Sequence, residues 1–154
     1  MTRATQDIDL VIAPTENQRR ELVAGLPASE YYVDLDTALE ALSRQTQFNV
    51  IDLSTGWKID LVIRRDRAFS RQEFDRRISV EYADMRLHVA TAEDVIIAKL
   101  EWAKMGESRR QIEDVAGVLR LRKDEIDWSY IETWIERLGL TEQWDEARRV
   151  DGVD

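Results

Sequence analysis

Three aspartates stand in matching surroundings. Asp7 and Asp9 alternate with apolar residues in DIDLVI, and Asp60 sits between Ile59 and Leu61 in WKIDLVIR. Strand side chains alternate faces, so Ile8, Leu10 and Ile12 share one side of the first segment and Asp7 and Asp9 the other. In the second, Ile59, Leu61 and Ile63 lie opposite Lys58, Asp60 and Val62. The Cα atoms of Asp7 and Asp9 are about 6.6 Å apart in a regular strand. If the two strands are neighbours, three carboxylates converge. Two unit charges 4 Å apart repel by about 4 kcal/mol at an effective dielectric of 20, so such a cluster takes up a proton or a cation. Carboxylate oxygens suit Mg²⁺ or Mn²⁺. Two such ions about 3.5–4 Å apart hold the attacking and leaving oxygens of a phosphoryl transfer. The plainer alternative is a row of acids on a solvated sheet face.

The elements that must position these acids are legible from periodicity. Residues 7–13 read as a strand closed by Pro14, and 15–26 as a helix capped by Thr15 and ended by Gly25. Residues 31–34 read as a short strand and 36–44 as a helix with Ala38, Leu39 and Leu42 on one side. FNVIDL (48–53) and WKIDLVIR (57–64), joined by STG, read as a β-hairpin. A short helix is expected near 70–77, then strands SVEYA and RLHVA split at Asp84. Beyond residue 90 the pattern turns helical. TAED (91–94) is a capping box for a helix to about Met105, stopped by Gly106. SRRQ (108–111) repeats that logic for a helix to about Leu121. Asp127 caps a third helix, striped by Ile131, Trp134, Ile135 and Leu138 and ended by Gly139. TEQWDEARR adds a fourth.

The chain has 154 residues, 44% hydrophobic and 34% charged, which fits one ordered domain. It carries no apolar run long enough for a membrane span, no secretory signal pattern and no cysteine, so a cytoplasmic location and no membrane partner are expected. The net charge of -9 argues against binding duplex DNA through broad electrostatics. Arg64–Arg77 nevertheless holds six arginines against three acids. Arg64 and Arg65, directly after the third aspartate, lead a run that serves either a triphosphate or RNA backbone, or a solvated loop of local ion pairs. Asp52 is either a fourth acid of the site or the support of the STG turn; the turn is the commoner role. His88 reads as a partly buried strand residue, and the five tryptophans as helix packing.

RATQDIDLVI followed by WKIDLVI resembles the nucleotidyltransferase superfamily with the DNA polymerase β-like palm, most of all small prokaryotic members related to the abortive-infection toxin AbiEii. TAEDVIIAKLEWAK, RRQIEDVAGVL and IDWSYIETWIERLGL look like the helical tail of such proteins, so the likeness covers Arg3 to about Leu140. It implies an α+β fold: a mixed β-sheet palm over residues 1–90 with helices on one face, then a helical C-terminal subdomain over 91–150, acting as one globular unit. It implies that Asp7 and Asp9 hold metal, that Asp60 is the third carboxylate and helps deprotonate the attacking hydroxyl, that Lys99 and Asp114 belong to the site, and that Arg3 and Thr5 lead into the first aspartate pair. The implied activity is transfer of a nucleoside monophosphate from an NTP to an acceptor hydroxyl with two Mg²⁺ (or Mn²⁺) ions. The acceptor would be a protein, a tRNA end or a small molecule, and an antitoxin partner is one version. The family pattern also places a Gly-Gly or Gly-Ser pair about ten residues before the first aspartate, at a helix N-terminus that binds phosphate. Here that pair would fall before Met1. A catalytically incomplete nucleotide-binding or protein-interaction module is therefore the alternative, and a palm without its first helix is expected to expose apolar sheet and form a homo-oligomer.

Overall fold

The computed structural model describes residues 7–106 and 108–152. Among them are six strands and seven helices in an α+β arrangement. The chain divides into two compact units, one ending at Phe74 and the other beginning at Asp75.

The first unit contains β1 (Asp7–Ile12), α1 (Glu16–Ala24), β2 (Tyr31–Tyr32), α2 (Leu35–Arg44), β3 (Gln47–Asp52), β4 (Lys58–Ile63) and most of α3 (Ala68–Arg76). Its mixed sheet has the order β1-β4-β3-β2, with β1 parallel to β4 and the other pairs antiparallel. Thr15 caps α1 as expected, and Gln18 completes a capping box with it; Asp34 caps α2 through the Thr37 N–H. The β3–β4 turn is held by Asp52, whose Oδ1 accepts from the Ser54 N–H and hydroxyl at 2.8 and 2.6 Å. These bonds keep the Asp52 carboxyl below the usual aspartate range, and the turn role read from the sequence is the one it has.

Alternation decides which side of the sheet is dry. Phe48 and Val50 of β3 and Leu61 and Ile63 of β4 are buried with Ala38, Ala41 and Leu42 of α2, and Ile12, Leu22 and Val23 pack against that cluster. The two helices α1 and α2 therefore cover the face bearing Ile59, Leu61 and Ile63. Truncating Phe48 in such a core costs about 3–5 kcal/mol. Cover thins along β1, where Ile8 and Leu10 remain 40% and 45% exposed.

The second unit contains the hairpin β5 (Ile78–Tyr82) and β6 (Met85–Val89), followed by α4 (Ala92–Gly106), α5 (Arg109–Arg122), α6 (Trp128–Leu138) and α7 (Thr141–Asp151). Ile96, Ile97 and Leu100 of α4, Val115 and Leu119 of α5, Ile131 of α6 and Ala147 of α7 are fully buried. Asp127 caps α6 through the Tyr130 N–H, and Gly139 ends it at φ 63°, a left-handed conformation suited to glycine. The cap expected at Ser108 does not form through its side chain; Gln111 instead accepts from Lys99. The division between units falls before the hairpin, whereas the change in periodicity suggested a boundary near residue 90. Just past that division, Arg76 at the end of α3 is bound to Glu93 and Asp94 of α4. Among the described residues, no helix is long and apolar enough to cross a membrane.

Candidate functional site

The parallel register of β1 and β4 sets Asp9 beside Asp60, Asp7 beside Lys58 and Val11 beside Val62. On the other flank β3 sets Asn49 beside Asp60. Residues paired across a sheet share a face. Because the isoleucines and leucines of both strands turn to the helix side, the polar set is left together on the opposite side. Asp60 is its centre, 17% exposed against 51% for Asp7. The neighbour relation on which carboxylate convergence depends is thus present in the sheet.

Lys58 is the part that sequence reasoning passed over. Its Nζ lies 3.0 Å from Asp60 Oδ2 and 3.8 Å from Asp7 Oδ1. The hydrogen bond to Asp60, then the charge of Asp60, and to a lesser extent the charges of Asp7 and Asp9, hold the Lys58 ammonium above the ordinary lysine range. The signal was available: Lys58 shares the phase of Asp60 in KIDLVI. An ammonium here does what a divalent ion would do, lowering repulsion among the acids.

Among the described residues, no three acidic or histidine side chains are gathered closely enough to ligate one ion as they stand. The donor chemistry nonetheless fits a hard divalent cation, because Asp7, Asp9 and Asp60 offer carboxylate oxygens from two adjacent strands. An ion bound there would compete with the Lys58 ammonium for Asp60.

The remaining candidates are placed as follows. Arg3 and Thr5 lie outside the described residues. Arg64 stacks over the Phe74 ring at 5.4 Å, with Nε buried and without a hydrogen-bond partner, and Arg65 is exposed. Further along the basic run, Arg67 binds the Ser70 hydroxyl, Arg71 pairs with Asp66, and Arg76 turns to Asp94. Lys99 and Asp114 lie in the second unit and pair with each other at 2.9 Å, joining α4 to α5. His88 is exposed on β6 rather than partly buried, because neither face of the hairpin is covered there. Trp134 and Trp144 are buried, and Trp128 meets Trp144 at 6.1 Å between ring centroids, so these three pack helices. Trp57 and Trp102 are 36% and 45% exposed.

A second polar cluster was legible only as a helix cap. Asp94 is fully buried. Its carboxylate accepts from the Tyr130 hydroxyl at 2.6 Å, the Thr91 hydroxyl at 2.7 Å and Arg76 Nε at 3.2 Å. The Arg76 guanidinium also lies 3.8 Å from the centroid of the Tyr130 ring. Burial, then the hydrogen bond to Asp94, push the Tyr130 hydroxyl up from its ordinary value. Every group in the cluster is satisfied, which marks it as a structural tie between the end of α3, α4 and α6.

No protein-family model and no curated protein matches the chain. What is established is an α+β chain with a four-stranded mixed sheet, an acid-and-lysine face on that sheet, and a helical unit carrying a buried ionic tie.

Proposed function

We propose that the chain is a metal-dependent nucleotidyltransferase of the DNA polymerase β-like palm type, moving a nucleoside monophosphate from an NTP to an acceptor hydroxyl. The observation that carries this reading is the side-by-side register of Asp9 and Asp60 on parallel strands, with Asp7 on the same face. In this reading Asp7 and Asp9 hold divalent cation, and Asp60 accepts the proton of the attacking hydroxyl. That oxygen forms its bond to the α-phosphorus as the bond to the pyrophosphate oxygen breaks. Bound Mg²⁺ or Mn²⁺ supplies charge neutralisation and in-line orientation. Asp60 is given the base role as the more sheltered acid, at the centre of the polar face. Lys58, released from Asp60, can meet a phosphate oxygen. Arg64 and Arg65 follow β4 directly and would bind the triphosphate, with protein or tRNA as acceptor and an antitoxin as a regulatory partner.

The test is incubation of the chain with labelled NTP, Mg²⁺ or Mn²⁺, and protein or tRNA acceptors. Label transfer that disappears in Asp9→Asn and Asp60→Asn is the expected result. Absence of divalent-dependent nucleotide binding by calorimetry, together with no effect of Asp9→Asn, would sink the reading.

A second reading is favoured by Lys58. An ammonium 3.0 Å from Asp60 neutralises the acids from within, as suits a scaffold of the same fold that binds a nucleotide or partner protein without transferring anything. Recovery of labelled acceptor would eliminate it.

A further inference from the structure

In the β5–β6 hairpin Ile78 pairs with Val89, Val80 with Leu87 and Tyr82 with Met85. Alternation puts all six on one face and Ser79, Glu81, Arg86 and His88 on the other. The register is held by a two-residue turn, Ala83-Asp84, with φ of 47° and 63°, the pattern of a type I′ hairpin. Five of the six apolar side chains are open: Tyr82 is 68% exposed, Met85 55%, Ile78 51%, Leu87 40% and Val89 38%. The strands pack chiefly on each other. A two-stranded hairpin alone is marginal in water, and a contiguous apolar face of this kind marks an interaction surface.

We propose that this face is a homodimer interface, the β5–β6 face of one copy stacking on the same face of a second. Three observations select this occupant. The face bears no charge, and the charges behind it are paired within the copy, Arg86 Nε to Glu81 Oε1 at 3.2 Å; two copies of the face therefore meet without like-charge repulsion across the contact. A flat apolar sheet face is matched by another of equal size packed about 10 Å away, and a two-fold axis supplies that match automatically. Two such faces remove on the order of 1,000 Å² from water, the lower end for a specific interface. The dimer is accordingly weak, with a dissociation constant in the micromolar range. The net charge of -9 per chain opposes association by self-repulsion, so added salt strengthens the dimer.

The chain has no cysteine, so one introduced thiol reports its own neighbourhood. Sedimentation of the full chain up to about 100 µM should show concentration-dependent dimer. Leu87→Glu should weaken it at least tenfold, and Leu121→Glu, at an 82% exposed position on α5, should leave it unchanged. Under oxidising conditions Leu87→Cys should form a disulfide-linked dimer, and His88→Cys, on the reverse face, should not. A native chain that stays monomeric over this range, a Leu87→Glu variant that associates like the native chain, or cross-linking as fast from His88→Cys as from Leu87→Cys would each overturn the proposal.

Discussion

Asp9 and Asp60 stand beside one another across the parallel β1–β4 pair, on the side of the sheet away from α1 and α2. Like charges in that relationship destabilise a sheet, and groups arranged for chemistry are commonly kept at a cost in stability. Asp9→Asn removes a charge and keeps the shape. It should stabilise the first unit by about 0.5 kcal/mol or less while abolishing divalent binding and any nucleotide transfer. Urea unfolding paired with calorimetry in Mn²⁺ checks both halves. A variant that loses stability and keeps its metal response would show that the acids are ordinary surface groups.

Lys58 makes the opposite prediction. Its ammonium is bound to Asp60 and lies close to Asp7, so Lys58→Met removes the cation that lowers repulsion between these acids. The variant should be less stable than the native chain in chelator, and should bind Mn²⁺ at least threefold more tightly because no resident cation must be displaced. Mn²⁺ should then restore much of the lost stability through preferential binding to the folded state. Thermal melts with and without Mn²⁺ give the answer, and equal metal response in both proteins would remove Lys58 from the site.

What could be read beforehand, and what could not, follows from the range of each signal. Period-two alternation in DIDLVI and KIDLVI was enough to assign faces, because burial of one side of a strand acts residue by residue. The caps at Thr15 and Asp127 formed as expected, since a cap is closed within three residues. The same motif at Ser108 does not close through its side chain, and Gln111 is engaged instead by Lys99, twelve positions away in the chain. Asp94 looked like half of a capping box; its partners Arg76 and Tyr130 lie 18 and 36 positions off, beyond any local pattern. His88 was assigned a strand correctly, but alternation says which face a side chain takes and not what covers that face.

The Asp94–Tyr130 contact should dominate the stability of the second unit. Asp94 is fully buried and holds Arg76, Thr91 and Tyr130. Asp94→Ala takes the nearest carboxylate from the Arg76 guanidinium, leaving it Glu93 at 3.5 Å, and removes the acceptor of the Tyr130 hydroxyl; it should cost about 3–5 kcal/mol. Tyr130→Phe removes a single hydrogen bond to a charged acceptor and should cost about 1.5–3 kcal/mol. The two losses should be strongly non-additive, with a coupling above about 1 kcal/mol in a double-mutant cycle read by urea unfolding. Additive losses would mean that the two groups act independently.

Glu93 contributes to the acid side of the stability profile, beside the depressed carboxyls of Asp34 and Asp52. Burial raises its carboxyl, but the Asp127 N–H bonded to Oε1 at 3.0 Å, together with other hydrogen bonds and the Arg76 charge, outweighs burial and leaves it below its ordinary value of 4.5. Burial likewise pulls Arg76 down, yet its bond to Asp94 and the surrounding charges leave it above its ordinary value, so the guanidinium stays charged throughout. A carboxyl whose folded pKa is depressed binds fewer protons folded than unfolded. Its stabilisation is therefore complete above about pH 4.5 and is lost as pH falls through the lower folded value. The native chain should lose stability as pH drops below about 4.5. Glu93→Gln keeps an acceptor oxygen but loses the charge; it should be less stable near neutrality and should show a shallower slope over the same range. Unfolding free energies measured at half-unit pH intervals would separate the two proteins, and parallel slopes would show that Glu93 does not carry the acid response.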